Sequence, residues 1–322
     1  MPAAEFLHAI SWGAPGLALF FASRYLSEGL SWTQPTLVFG VAALILLVPV
    51  GYAMLFGYGP IPEMGAAGLG YATALIMWLE FLAFAVYLHK SKHFSDLGLM
   101  SRFEWPKLFA IKQLLVLGVP MGIAIFMEGS LFVATALFIG QLGAVDVAAH
   151  QIALNVASAS FMIPLGIALA TTVRVGHAVG ARDYLAVRWA MKAGLFLVLI
   201  TQTLSAILLI FAGQWISSLY TDDAAIATLA STLMVYAALF QYPDGIQALS
   251  GGALRGLKDT KIPMFITVFA YWAVGLSAGI FLGIHQGLRA PGFWLGLTIG
   301  LSVAAVLLFS RFWHKLKKIE QA

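Results

Sequence analysis

The chain has 322 residues, of which 61% are hydrophobic and only 10% are charged, and its mean hydropathy is +0.91. A soluble domain carries about 25% charged residues, so this composition excludes an ordinary soluble protein and indicates a polytopic membrane protein. The sequence contains no cysteine, which excludes disulfides and thiolate metal sites.

Apolar windows of about 20 residues predict nine membrane-spanning helices. In chain order the predicted spans are Phe6–Tyr25, Thr36–Phe56, Gly68–Leu88, Gln113–Gly140, Val147–Val173, Ala193–Ala212, Ala225–Leu249, Met264–Gly283 and Phe293–Phe309. The predicted fold is therefore all-α and integral to the membrane.

Basic residues are distributed very unequally between the two ends of these spans. Of the 18 Lys and Arg residues, 17 fall in the loops and tail of one side, and Arg289 alone falls on the other. By the positive-inside rule the basic side is cytoplasmic, which places the C-terminus in the cytoplasm and, with nine spans, the N-terminus outside. The sequence pI of about 9.2 is thus a signal of topology, and nucleic-acid binding is not indicated.

The first three and the last three spans share a spacing of proline residues. Pro15 and Pro35 are 20 residues apart, and so are Pro243 and Pro263. Six spans separate the two copies, so both cross the membrane in the same direction, which is typical of a parallel repeat. The last six spans then form one complete six-helix lobe, and the first three are half of another.

This repeat predicts four segments. They are a three-helix remnant of an N-terminal lobe (1–88), a cytoplasmic linker (89–112), a C-terminal six-helix lobe (113–310) and a basic cytoplasmic tail (311–322).

Glu128 and Asp244 lie deep inside predicted spans that contain no Lys or Arg. Because an ionised carboxylate costs about 2.5–3.5 kcal/mol at the centre of a membrane helix, each acid should face a cavity or hold a proton, a metal cation or a cationic ligand. Phe132 lies on the helical face of Glu128, where its ring can contact a cation. Gln241 and Gln247 flank Asp244 at three-residue spacing. Pro243 should kink the helix and free a backbone carbonyl one turn earlier, and a free carbonyl beside a carboxylate suits a hard cation.

Both acids also have structural interpretations. Glu128 could only hydrogen-bond a neighbouring helix, and Asp244 could only cap local backbone beside Pro243. Glu80 is a third acid inside a predicted span, and the sequence assigns it no role.

A polar stripe runs along the span Val147–Val173, where Gln151, Asn155 and Ser158 recur at helical spacing. Such a stripe belongs either on a cavity wall or at a helix interface. His150, close to the outer end of the same span, is interpreted as an interfacial or hydrogen-bonded structural residue rather than as a proton relay.

Four segments together resemble the NorM-like branch of the multidrug and toxic compound extrusion (MATE) transporters. They are Gly118-Val119-Pro120 leading to Glu128, Val147–Asn155, Arg174–His177 and Leu254–Asp259. The resemblance implies two six-helix lobes around a central cavity and the export of organic cations and other drugs in exchange for Na⁺ or H⁺. It also implies that this chain begins at the fourth helix of the family and lacks the first three.

The resemblance further implies that Glu128 and Asp244 bind the coupling cation, with Na⁺ as the possible metal. Phe240 stands where the family usually has a tyrosine, so one hydroxyl ligand for Na⁺ is missing. The predicted substrate cavity comprises Phe132, Gln151, Asn155, Ser158, Phe240, Gln241 and Gln247.

The predicted function is secondary antiport, in which a cationic drug and the coupling ion compete for the same carboxylates in a multi-pass protein of the bacterial inner membrane. No nucleotide-binding motif is present, so neither ATP nor any cofactor beyond H⁺ or Na⁺ is expected, and the chain is not expected to be an enzyme.

The sequence leaves three alternatives to antiport. A flippase for lipid-linked precursors would need cations in its cavity, and the predicted membrane interior has none. A membrane hydrolase would need more than the G-x-S-x-G pattern at Gly275–Gly279, for which no partner histidine lies on a facing span. The third alternative is an inactive fragment.

Overall fold

The computed structural model describes residues 2–59, 62–97, 105 and 107–321. Regular secondary structure in these ranges is helical, and the chain divides into two compact units, residues 1–105 and residues 106–322. The boundary lies within the predicted linker.

The first unit contains four α-helices and a short 3-10 helix. They are α1 (Pro2–Ser11), α2 (Ala14–Gly29), α3 (Gln34–Phe56), α4 (Gly65–Lys90) and the 3-10 helix Lys92–Leu97.

The second unit contains six long helices. They are α5 (Leu108–Gly140), α6 (Ala144–Gly180), α7 (Tyr184–Ser218), α8 (Ala224–Gly256), α9 (Lys261–His285) and α10 (Arg289–Glu320).

The first predicted span is a bent pair of helices, because α1 and α2 meet at an angle of 49°. Gly13 lies at the break, and a Cβ atom there would come within 2.7 Å of the Met77 sulfur on α4. Pro15 follows in the first turn of α2, where its missing N–H leaves no helical carbonyl unsatisfied. At the bend, the backbone at Gly13 therefore approaches α4 closely just before helix α2 begins.

Among the described residues, eight helices are long and apolar enough to cross a membrane, and the α1–α2 pair brings the number to nine if it forms one span. These nine elements match the predicted spans in order, which confirms an all-α integral membrane fold. Most of the helices extend past the predicted spans, because polar residues at their ends continue the helix beyond the apolar window.

Helix α8 lies at the centre of the second unit and packs against α6, α7 and α10. Small residues allow this packing: a Cβ atom on Gly252 would lie 2.6 Å from the Ala168 carbonyl oxygen of α6. At the same level the Thr172 hydroxyl of α6 donates a hydrogen bond of 2.9 Å to the Gly252 carbonyl. Most residues of α8 between Phe240 and Leu254 are consequently buried, which is the setting of Asp244.

Helices α9 and α10 form a hairpin whose backbones touch. A Cβ atom on Gly296 would collide with Gly279, and one on Gly292 would collide with Gly283. Helix α9 is π-helical over Phe269–Leu276 and again over Phe281–His285. π-Helical turns are rare in proteins, and those that occur are often found at functional sites.

Arg289, the lone basic residue predicted for the outer side, forms an ion pair at the start of α10. Its guanidinium lies 2.5 Å from the Asp146 carboxylate of α6 and donates a 2.9 Å hydrogen bond to the Leu142 carbonyl in the α5–α6 turn. The pair ties three helices together at one end of the bundle.

Candidate cation and substrate site

Glu128 and Asp244 share one cavity of about 180 Å³ between α5, α6 and α8, which we call the carboxylate cavity. Its lining residues come from these three helices. They are Glu128, Phe132, Leu154, Ala157, Ser158, Phe161, Phe240 and Asp244. Helices α5 and α8 are far apart in the sequence, and the fold brings their acids to the same space.

Glu128 projects from α5 toward α8. The Gln247 side-chain amide donates a hydrogen bond of 3.0 Å to the Glu128 carboxylate. Gln247 therefore connects the acid of α5 to the helix that carries Asp244.

Asp244 is almost completely buried, with 4% of its surface exposed. It lies one turn before Gln247 on α8 and lines the same cavity as Glu128. No lysine or arginine is among the residues that line the carboxylate cavity. Negative charge in this cavity thus has no basic side chain to neutralise it within the lining.

Aromatic rings form the apolar part of the carboxylate cavity. Phe132 and Phe240 meet edge to face with their ring centres 6.1 Å apart, and Phe240 in turn packs against Trp294 at 5.6 Å. Phe161 completes this wall. A cavity with a few acids among aromatic rings is chemically suited to an organic cation.

A second cavity of about 420 Å³ adjoins the first, and we call it the amide cavity. Gln151, Asn155 and Ser158 line it, so the polar stripe of α6 lies on a cavity wall in this structure. Tyr220, from the α7–α8 connection, donates a hydrogen bond of 2.9 Å to the Asn155 side-chain oxygen. Leu154 and Ser158 line both cavities and so mark where they meet.

Gln241 and Gln247 are not among the residues that line these two cavities. Gln241 is buried against α7, and its backbone carbonyl accepts a 2.9 Å hydrogen bond from the Gln202 side chain. Among the described residues the Gln241 amide group finds no hydrogen-bond partner. The two glutamines flank Asp244 on opposite sides, because residues three positions before and after it are about 120° apart around the helix.

His150 and Glu80 lie outside both cavities. His150 is fully buried, with its ring centre 5.9 Å from that of Trp294, and within the described chain neither of its ring nitrogens has a hydrogen-bond partner. Glu80 belongs to the first unit, where Arg24 acts on it electrostatically.

Sequence reasoning missed several residues of the site. Leu154 and Phe161 are apolar residues on apolar helices and give no signal of their own. Tyr220 lies in a connection, where its contact with Asn155 depends on the tertiary fold.

A bundle of membrane helices that encloses paired acids in an aromatic cavity has the architecture of a membrane transporter. The sequence Gly275–Gly279 lies within helix α9 rather than at a strand–turn–helix junction, which removes the hydrolase motif. The Ser277 hydroxyl donates to the Trp272 carbonyl of its own helix at 3.5 Å.

Comparison with known proteins identifies the kind of transporter. The sequence model of the MatE family matches residues 120–281. The probable multidrug resistance protein NorM of Xanthomonas campestris is 51% identical over 310 residues, which are 96% of this chain and 68% of that protein. The multidrug resistance protein PmpM of Pseudomonas aeruginosa is 40% identical over 96% of this chain and 66% of its own length.

A solved structure of the eukaryotic MATE transporter AtDTX14 has the same fold, with a TM-score of 0.89 at 20% identity over 99% of this chain and 71% of that chain. The chain belongs to the MATE family. Members of this family are transporters, so the predictions of family membership and of a protein that is not an enzyme are confirmed.

Proposed function

We propose that this chain takes part in multidrug efflux by antiport, exporting organic cations in exchange for H⁺ or Na⁺, with Glu128 and Asp244 as the groups that bind the coupling cation. The observation that carries the proposal is their shared cavity, which no lysine or arginine lines. The names of the bacterial relatives, which are multidrug resistance proteins, support the choice of drugs as cargo.

The exchange follows from the electrostatics of the carboxylate cavity. Two buried carboxylates close together cannot both remain ionised without a compensating positive charge. A proton, a sodium ion or the cationic group of a drug can supply that charge. When one of them is bound, less negative charge remains on the two acids to attract another. Competition for the same acids couples the movement of drug to the movement of the ion when the site is exposed alternately to the two sides.

In this proposal, different parts of one drug molecule occupy the two cavities. The carboxylate cavity, at about 180 Å³, is smaller than the range of about 300–1,000 Å³ typical of sites for drug-sized ligands. The amide cavity, at about 420 Å³, lies within that range and joins it at Leu154 and Ser158. The cationic group of the drug therefore occupies the carboxylate cavity, and its remaining part lies beside Gln151 and Asn155.

The same chemistry disfavours a flippase. A lipid-linked phosphate needs basic side chains, and the residues that line the two cavities include none. The driving force is an ion gradient rather than ATP, and we place the multi-pass protein in the bacterial plasma membrane, in line with its bacterial relatives.

The test is binding of tetraphenylphosphonium, a lipophilic organic cation, to the purified chain in detergent, with displacement by Na⁺ or by acid. We expect Glu128→Gln and Asp244→Asn each to weaken binding by about tenfold or more, because each removes one buried charge that pairs with the ligand. Glu80→Gln is the matched control, since it removes an acid of the first unit and should leave binding unchanged.

Unchanged binding in both Glu128→Gln and Asp244→Asn would contradict the proposal. If the two substitutions abolish binding, uptake of the same cation into proteoliposomes under an imposed Na⁺ or H⁺ gradient then identifies the coupling ion.

A further inference from the structure

Gln202 is a buried polar residue in the middle of α7 to which the site described so far assigns no role. Only 1% of its surface is exposed, although the helix that carries it is strongly apolar. Its amide nitrogen donates the 2.9 Å hydrogen bond to the Gln241 carbonyl of α8. Its amide oxygen has no hydrogen-bond partner among the described residues, and a buried oxygen without a partner costs free energy. An apolar side chain of the same length would avoid that cost.

The Gln202 side chain also packs against α8 one turn further along. A Cβ atom on Gly245 would lie 3.3 Å from both Cγ and Nε2 of Gln202, and 2.7 Å from a methyl carbon of Val198. Gln241 and Gly245 are four residues apart and so lie on the same face of α8. Gln202 therefore contacts the backbone of α8 on both sides of Asp244 in the sequence.

This part of α8 lacks one of its own backbone hydrogen bonds. Pro243 lies inside the helix and has no N–H, so the Leu239 carbonyl loses the partner that a regular helix would give it. Helices bend most readily where such a bond is missing. The hydrogen bond from Gln202 reaches a carbonyl two residues before Pro243, and it restrains from α7 a segment that the proline weakens within α8.

Asp244 leaves this segment toward other helices. The residues that line the carboxylate cavity belong to α5, α6 and α8, and none of them belongs to α7. Gln202 thus lies behind the segment that carries the acid and acts on the backbone. Because an aspartate side chain is short, the place of its carboxylate in the cavity follows the place of the backbone closely.

We propose that Gln202 is a positioning residue for the cation site: it holds residues 241–245 of α8 against α7, so that the Asp244 carboxylate enters the carboxylate cavity in the orientation that binds a cation. The inference rests on the proposed function, and it adds a residue from a helix that does not line the cavity.

The experiment is a double-mutant cycle on tetraphenylphosphonium binding with the parent chain, Gln202→Met, Asp244→Asn and the double variant. Methionine keeps the length of the side chain and its packing against Gly245, but it cannot donate a hydrogen bond. We expect Gln202→Met to weaken binding by about fivefold in the parent chain and by less than about twofold in Asp244→Asn, because it acts only through that carboxylate. Gln214→Met, at an exposed glutamine of the same helix, is the matched control and should bind like the parent chain.

A second comparison separates positioning from stability and needs no measurable binding in Asp244→Asn. In Gln202→Asn the side chain is one methylene shorter, so the amide no longer reaches the Gln241 carbonyl and stays buried without a partner. Its Tm should fall below that of Gln202→Met, whereas the two variants should bind tetraphenylphosphonium equally weakly. A merely structural role would make the affinity follow the Tm.

Two results would overturn the inference while leaving antiport intact. One is a Gln202→Met protein that binds tetraphenylphosphonium as tightly as the parent chain, while Asp244→Asn loses binding. The other is a loss of equal size in the parent chain and in Asp244→Asn, which would mean that Gln202 does not act through Asp244. Full binding in both Glu128→Gln and Asp244→Asn would instead contradict the proposed function and this inference with it.

Discussion

The two copies of the predicted helical repeat differ at the residue after a proline that they share. In the first copy Pro15 is followed by Gly16, and in the last copy Pro243 is followed by Asp244. A Cβ atom on Gly16 would lie 3.0 Å from the Trp78 ring, so an aromatic side chain fills the space there. At Asp244 the equivalent space is the carboxylate cavity. The spacing of the prolines recurs, although α2 begins at a 49° break beside Pro15 and α8 continues through Pro243. What differs chemically is whether a neighbouring side chain fills the space beside the proline.

The copies agree at another position. Gly68 is the fourth residue of α4 and Gly292 is the fourth residue of α10, and both lie against the backbone of the preceding helix. Because the copies agree in packing but differ at the acid, three experiments can test how equivalent they are.

The largest effect should come from Gly16→Asp, which gives the first copy the acid of the last copy. We expect a loss of about 3–5 kcal/mol of stability, because the side chain overlaps Trp78 and brings an unpaired carboxylate into the bundle. The Trp78 ring cannot easily withdraw, since its indole donates a 3.0 Å hydrogen bond to the Trp12 carbonyl. Thermal unfolding in detergent measures the loss.

Gly16→Ala separates the steric part of this loss from the charge. Gly40→Ala, at a glycine of α3 with no neighbouring atom within 4 Å of its added Cβ, is the control for an open position. A Gly16→Asp protein as stable as the Gly40→Ala protein would contradict the claim that Trp78 fills the first site.

An intermediate effect is expected for Gly68→Ala and Gly292→Ala. Each added methyl group meets backbone, of Met54 in the first copy and of Gly283 in the last, so both should cost about 1–3 kcal/mol. Similar decreases in the Tm of the two variants would strengthen the equivalence of the copies. Gly118→Ala is the control, because there is open space around its added Cβ, and it should leave stability unchanged or raise it slightly. A large loss of stability in only one of Gly68→Ala and Gly292→Ala would argue against the repeat.

The smallest effect compares hydroxyls in the two units. Thr172→Val removes the hydrogen bond between α6 and α8 and should cost about 0.6–1 kcal/mol. Thr73→Val removes a bond of 2.8 Å from Thr73 to the Leu69 carbonyl of its own helix and should change stability by less than about 0.5 kcal/mol. Chemical denaturation in micelles measures the free energy of unfolding of both variants. Equal decreases would show that the Thr172–Gly252 hydrogen bond between α6 and α8 contributes no more than a hydrogen bond within one helix.

Hydropathy alone was enough to predict the nine apolar helices, because a membrane span needs a long unbroken apolar window whatever its neighbours are. The acids were predictable as site residues for the same reason, because a carboxylate in such a window costs free energy unless it faces a cavity or holds a proton or a cation. Their sharing of one cavity was not, because the sequence does not say that α5 and α8 face each other.

The neighbours of Asp244 show where helical periodicity stops being informative. Gln241 and Gln247 are equivalent by spacing, yet one packs against α7 and the other bonds to Glu128 of α5. Which surface of a helix meets which neighbour is decided by packing that only the folded chain contains.

The Arg289–Asp146 pair bears on how the α9–α10 hairpin reaches its place. In the predicted orientation this turn must be exported across a bilayer whose interior side is electrically negative, and a bare arginine would be drawn back by that potential. Paired with Asp146, the turn carries no net charge and the field exerts little force on it. In the predicted orientation, the one basic residue on the outer side is thus neutralised by its ion pair, whereas the other 17 lie on the side predicted to be cytoplasmic.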